Sequence, residues 1–220
     1  METAPEVISS FFVSENNVSK AKDIADEFLE LLDQLNSSLN QLELPRKVEC
    51  VYNPTVYARH TFEMYVRKFC NTKKTVMYFG MNPGPWGMSQ TGVPFGEISS
   101  VKDWLGIEGP VGKPAVEIAN RRVLGFACNR TELAQLRPLF DICDPIFCKV
   151  LQLYEVKIII AIGKFCEKRA EKALKTYLPN NSVQILYLPH PSPRVVNNID
   201  WEQKAYEFLQ SYNLMQYYSN

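Results

Sequence analysis

Residues 75–97 read TVMYFGMNPGPWGMSQTGVPFGE, and a change of character inside this stretch decides the fold. Thr75, Val76, Met77, Tyr78 and Phe79 form a short β-favouring run that stops at Gly80. From Gly80 to Glu97 the chain then carries five glycines and three prolines. Glycine lets a ligand or another segment approach the backbone closely, and proline fixes the path, so a strand feeds a stiff, sharply turning loop. That loop sets an amide side chain, Asn82, at the mouth of the strand and an aromatic, Phe95, further along.

Working outward, two more apolar runs read as buried strands: KIIIAI at 157–162 and VQILYL at 183–188. The charged, alanine-containing stretch 164–177 between them reads as a surface helix, and a last helix is expected over 200–212. Upstream, Ile24, Phe28, Leu31, Leu32, Leu35 and Leu39 recur at helical spacing. Ser19 is the expected cap of that helix, and Leu44-Pro45 its expected end. Asn53-Pro54-Thr55 starts another helix, continued by Tyr57, Thr61, Met64, Tyr65 and Lys68 to about Phe69. Strands alternating with helices predict an α/β domain built around a mainly parallel sheet. We expect an N-terminal tail and accessory helix over 1–45 and one compact domain over 46–220. In such sheets ligands sit beyond the carboxyl ends of the strands.

A second loop follows the third strand: Leu188-Pro189-His190-Pro191-Ser192-Pro193-Arg194. Three prolines in five residues hold one of only two histidines in place, and arginine closes the loop. Other chemistries fit poorly. No Gly-Lys-Ser or Gly-Lys-Thr follows the glycine-rich loop, so it is not a P-loop. Ser192 lacks the G-x-S-x-G elbow of a serine nucleophile. Twenty-four basic and twenty-four acidic residues cancel, so a phosphate-binding surface would have to be a local patch. Cys50, Cys70, Cys128, Cys143, Cys148 and Cys166 are scattered without the tight spacing of a zinc site and read as reduced thiols of an intracellular protein. No metal and no cofactor is expected. An iron–sulfur relative stays open as a third possibility, one that a brown preparation would reveal. No run approaches the ~18 apolar residues of a membrane span, so no membrane partner is expected.

The sequences GMNPGPWGMSQTGVPFGE and HPSPR resemble the two signature loops of the uracil-DNA glycosylase superfamily, the first in the long form of the single-strand-selective monofunctional enzymes. The likeness extends through DWLGIEGPVGKP, RRVLGFAC, KIIIAIGKFCEKRAEKAL and a helix ending near Cys148, covering roughly residues 52 to 209. It implies a three-layer α/β domain and a hydrolase that removes uracil from single- and double-stranded DNA, with 5-oxidised uracils as further candidate bases. A flipped deoxyuridine would enter a pocket formed by Gly80, Met81, Pro83, Gly84 and Phe95, the Phe95 ring stacking on the base. Asn82 would orient the attacking water, and His190 would donate a hydrogen bond to the uracil oxygen that gathers negative charge. Pro191, Ser192, Pro193 and Arg194 would contact the DNA, Ser192 at flanking phosphates and Arg194 as a wedge in the vacated stack. No lysine lies in either loop to form a Schiff base, which agrees with hydrolysis alone. A monomer is expected, and residence in the nucleus follows from the implied repair role.

The chain departs from the family at one place. In the family a strand ending in Asn-Leu-Cys-Pro follows the RRVLGFAC region, and its asparagine reads the Watson–Crick edge of uracil. Here Cys128-Asn129-Arg130 runs straight into Thr131-Glu132-Leu133, which resembles sequence well beyond that motif. Neither Asn120 nor Asn129 follows a β run or precedes Leu-Cys-Pro, so neither is a stand-in. Several dozen residues, and with them one edge strand of the sheet, are therefore expected to be missing. The strand bearing Asn82 should be uncovered, and uracil removal weak and poorly selective, or absent. An impaired protein that binds damaged DNA is the alternative. The wording after Arg194, VVNNIDW, also differs from the family's, which bears on the wedge.

Overall fold

A computed structural model describes residues 22–44, 46, 48–80, 83–128, 140–191 and 200–218. Three strands, β1 (Val76–Phe79), β2 (Ile158–Ile162) and β3 (Gln184–Leu188), form one sheet in the order β1-β2-β3. Both pairings are parallel, with Phe79 beside Ala161 and Ile162 beside Leu188. Among the described residues β1 lies at an open edge, as expected for a sheet short of one strand.

Seven α-helices accompany the sheet among the described residues: α1 (Ile24–Asn40), α2 (Pro54–Tyr57), α3 (Arg59–Phe69), α4 (Met88–Thr91), α5 (Phe140–Leu153), α6 (Lys164–Tyr177) and α7 (Trp201–Ser211). Alternate strand residues serve opposite faces, which produces three layers. Ile159 and Ala161 pack with Val150 and Leu151 of α5, with Tyr154 just after it, and with Cys166, Ala170 and Leu174 of α6. On the other face Ile160, Leu186 and Leu188 meet Leu214 and the half-buried Trp201, Ala205, Phe208 and Leu209 around α7. The buried pair Arg169–Asp144 ties α6 to α5, with Arg169 Nε donating to Asp144 Oδ1 at 2.8 Å. Helix α1 packs Ala25, Leu29 and Leu32 against Phe62 and Val66 of α3, while Phe28 reaches Tyr154.

Local departures from expectation have visible causes. Asp23, rather than Ser19, caps α1, its Oδ1 accepting from Ala25 N at 3.4 Å; Ser19 lies outside the described residues. The helix stops at Asn40, before the Leu44-Pro45 pair, because Gln41 closes it by donating to Ser38 O at 3.3 Å. The helix expected from Asn53 to Phe69 is broken at Ala58 (φ −105°, ψ 30°). The Tyr57 carbonyl at the break turns to accept from Gly112 N at 2.9 Å. Helix α5 continues past Cys148 to Leu153 with Pro145 inside it.

Candidate active site at the strand ends

Two of the strands, β1 and β2, are followed directly by a glycine that lets a loop come close. At the end of β1, a Cβ on Gly80 would fall 2.7 Å from Cζ of Phe95, so only a bare backbone lets that ring lie where it does. Phe95 itself has φ 55°, a left-handed conformation that costs a bulky residue energy, and its side chain is 60% exposed. A strained backbone presenting an aromatic ring to solvent is a costly arrangement for packing and a suitable one for receiving a planar ligand.

The loop is held from behind. Gln90 is fully buried and uses its whole amide: Nε2 donates to Pro85 O (2.8 Å) and Arg122 O (3.0 Å), and Oε1 accepts from Leu124 N (2.7 Å) and Gly125 N (3.1 Å). Thr91 Oγ1 donates to Gly96 O at 3.1 Å, and Gly96 N donates to Val93 O at 2.9 Å, closing the turn that carries Phe95. Tyr57 Oη reaches Ser89 O at 2.7 Å from α2. Glu97 accepts from the backbone N–H and hydroxyl of both Ser99 and Ser100, which lowers its pKa to about 2 and fixes the start of the π-helical turn Ser100–Trp104.

At the ends of β2 and β3 the geometry is equally tight. Gly163 (φ 90°, ψ 153°) donates its N–H to Leu188 O at 2.8 Å, in a conformation essentially restricted to glycine. A Cβ there would sit 3.5 Å from Cβ of His190. Trp201 Nε1 donates to Pro189 O at 2.7 Å, so α7 anchors the entry to the histidine loop. Partial burial lowers the His190 pKa below its ordinary 6.5, which keeps the imidazole neutral at pH 7. A neutral imidazole still offers one N–H to an oxygen that becomes negative during a reaction.

Of the residues expected to form the site, Gly80 and Phe95 are brought together, Pro83 and Gly84 continue from the same strand end, and His190 and Pro191 leave β3 two strands away. Gly84 O accepts from Gly87 N (3.2 Å) and Ser89 N (3.0 Å), tightening the turn into α4. Met81, Asn82, Ser192, Pro193 and Arg194 lie outside the described residues, as does the Asn129–Arg130 junction. Gln90, Gly163 and Trp201 support the site without having been singled out from sequence. A glutamine in a glycine-rich run and a glycine after a strand were the available signals. The Trp201 contact had none, because it joins separate elements.

Among the described residues no three His, Cys, Asp or Glu side chains converge to hold a metal ion. The six cysteines are unpaired, and burial pushes the Cys148 and Cys166 thiols up to about 11. No helix among the described residues is long and apolar enough to cross a membrane.

The chain is 35% identical to the single-strand selective monofunctional uracil DNA glycosylase of Mus musculus, over 88% of this chain and 86% of that protein. It is also 35% identical to that of Rattus norvegicus (89% and 87%) and 34% identical to that of Bos taurus (88% and 89%). The mouse alignment spans 243 positions, whereas 88% of 220 residues is about 194, so about fifty aligned positions have no residue of this chain opposite them. The model of the uracil DNA glycosylase superfamily matches residues 67–213, which include all three strands and both loops. With its parallel sheet and its glycine-held strand ends, the chain belongs to the uracil-DNA glycosylase superfamily.

Proposed function

We propose that this protein is a monofunctional DNA glycosylase of base-excision repair, hydrolysing the N-glycosidic bond of deoxyuridine to release uracil and leave an abasic site. The observation that carries this is the strained, exposed Phe95 ring over Gly80, on a sheet whose other strand end presents a neutral imidazole. A uracil extruded from single- or double-stranded DNA stacks on Phe95, with Gly80, Met81, Pro83 and Gly84 at its edge. As the bond to the sugar lengthens, negative charge collects on the base, and His190 donates a hydrogen bond to the oxygen that receives it. Asn82 orients the water that adds to the sugar carbon. An amide is no strong base, which suffices where the bond is largely broken before attack. The water's proton leaves to solvent or to the departing base, and no covalent enzyme intermediate forms. Pro191, Ser192, Pro193 and Arg194 hold the DNA around the extruded nucleotide, and the protein works in the nucleus.

A second reading rests on the roughly fifty aligned positions without a counterpart. If they contain the uracil-reading asparagine, the site keeps its stacking ring and its anion donor but loses a contact that distinguishes uracil from cytosine. Turnover is then weak and poorly selective.

The deciding experiment measures free uracil released from a labelled single-stranded oligonucleotide, with H190L beside the native chain. Release that H190L abolishes supports the glycosylase reading. No release from a folded native chain favours the impaired one, and equal release by both proteins overturns the role of His190.

A further inference from the structure

We propose that the open edge of β1 is an interface with a second copy of this chain, two β1 strands pairing antiparallel across a two-fold axis at Tyr78. The direction of the backbone groups carries the argument. Thr75 O accepts from Ile158 N at 3.0 Å, so Thr75 faces β2. The N–H and C=O of one strand residue point to the same side and alternate along the strand, so Met77 and Phe79 face β2 as well. Val76, Tyr78 and Gly80 therefore direct their backbone groups away from the sheet. Among the described residues nothing pairs with them.

An edge of three outward residues centred on Tyr78 is self-complementary. With the two-fold at Tyr78, each Tyr78 exchanges both hydrogen bonds with its counterpart, and each Val76 lies opposite the other copy's Gly80. The isologous arrangement closes on itself and needs no other partner. Two of the usual protections of an edge are absent, since residues 76–79 contain no proline and no charge, although the strand is short at four residues. The first charge on the strand's approach is Lys74. Antiparallel pairing sets the two Lys74 side chains at opposite ends of the ribbon, whereas parallel pairing would place them side by side. Beside the edge, Tyr78 (38% exposed) and the exposed Tyr218 hydrogen-bond through their hydroxyls. Zero net charge gives two copies no mutual repulsion to overcome. The monomer expected from sequence leaves Tyr78 exposed and Val76 and Gly80 half-buried.

Sedimentation velocity over a series of protein concentrations should show reversible dimerisation of the native chain. Y78K, which sets two ammonium groups against each other on the axis, should remain a monomer, while Y78F should dimerise like the native chain. Register is tested separately by mild oxidation of cysteine variants. Opposed hydrogen-bonded residues have Cα atoms about 5.5 Å apart, within the span of a disulfide, so Y78C should join two chains through the introduced thiol. K74C should not, since its two copies stand eight residues apart along the ribbon, about 27 Å. A native chain that is monomeric at every concentration overturns the proposal and assigns the edge to another segment or another protein. Dimerisation unchanged in Y78K, or cross-linking through K74C in place of Y78C, overturns it equally.

Discussion

At the residue scale, Gly80 and Gly163 look alike and do different work. The atom that a Gly80 side chain would strike is the far end of an exposed ring, which is free to swing away. G80A should therefore melt within a degree or two of the native protein while displacing Phe95. Stacking of a base on an aromatic is worth about 1–3 kcal/mol, so uracil release should fall roughly ten- to a hundredfold. Thermal melting and single-turnover kinetics on the same preparation separate the two effects. G163A, by contrast, forces a Cβ into a backbone region that costs about 1–3 kcal/mol and should lower stability by that amount. His190 adds a pH dependence. Its folded pKa lies below the unfolded value of about 6.5, so the unfolded chain binds the extra proton first. This contribution to stability is complete above about pH 6.5 and is lost as pH falls through that value toward the folded pKa. Denaturation midpoints followed from neutral to mildly acidic pH should fall less steeply in H190L than in the native chain.

At the element scale, the site depends on ties between segments distant in sequence. Gln90 joins α4 to residues 122–125 through three hydrogen bonds and holds Pro85 O through a fourth. Q90L keeps the volume but leaves buried donors and acceptors unmet at about 1–3 kcal/mol each. A loss of roughly 3–5 kcal/mol is expected in chemical denaturation, since partial relaxation recovers some of the sum. Trp201 holds Pro189 from α7, and W201F should cost about 1 kcal/mol of stability while loosening the histidine loop. Its signature would be a fall in the rate of uracil release that exceeds the change in melting temperature. The break between α2 and α3 has the same character: a continuous helical pattern yields where the Tyr57 carbonyl is claimed by Gly112.

At the scale of the whole molecule, three strands stand among the described residues where the family resemblance leads one to expect four. The layers close nonetheless, because β2, the strand that needs cover on both faces, receives α5 and α6 on one side and α7 on the other. An edge strand can be lost without opening that core, and among the described residues it leaves β1 at the edge of the sheet. A site that hydrogen-bonds its substrate gains discrimination of about 10⁴–10⁵-fold from such contacts. The ratio of uracil to cytosine removal should therefore fall well below that of a relative with the full sheet, when both are assayed on matched oligonucleotides. The product strand should carry an unbroken abasic site, with no adduct trapped by borohydride, because neither loop holds a lysine.

Strands, order of elements and both signature loops were legible in the sequence because they depend on local composition: β-branched runs, glycine and proline at fixed places, and the resemblance those words carry. The positions of Gly80 and His190 at strand ends followed from the same signals. What only the tertiary structure decided are the contacts between segments far apart in the chain. The left-handed Phe95 over Gly80, the glycine-only backbone of Gly163 beside His190, the buried amide of Gln90 and the hold of Trp201 on Pro189 are all of this kind. So is the edge of β1. Periodicity identifies a strand and its two faces, but which of its backbone groups meet a neighbour depends on what the rest of the chain brings alongside.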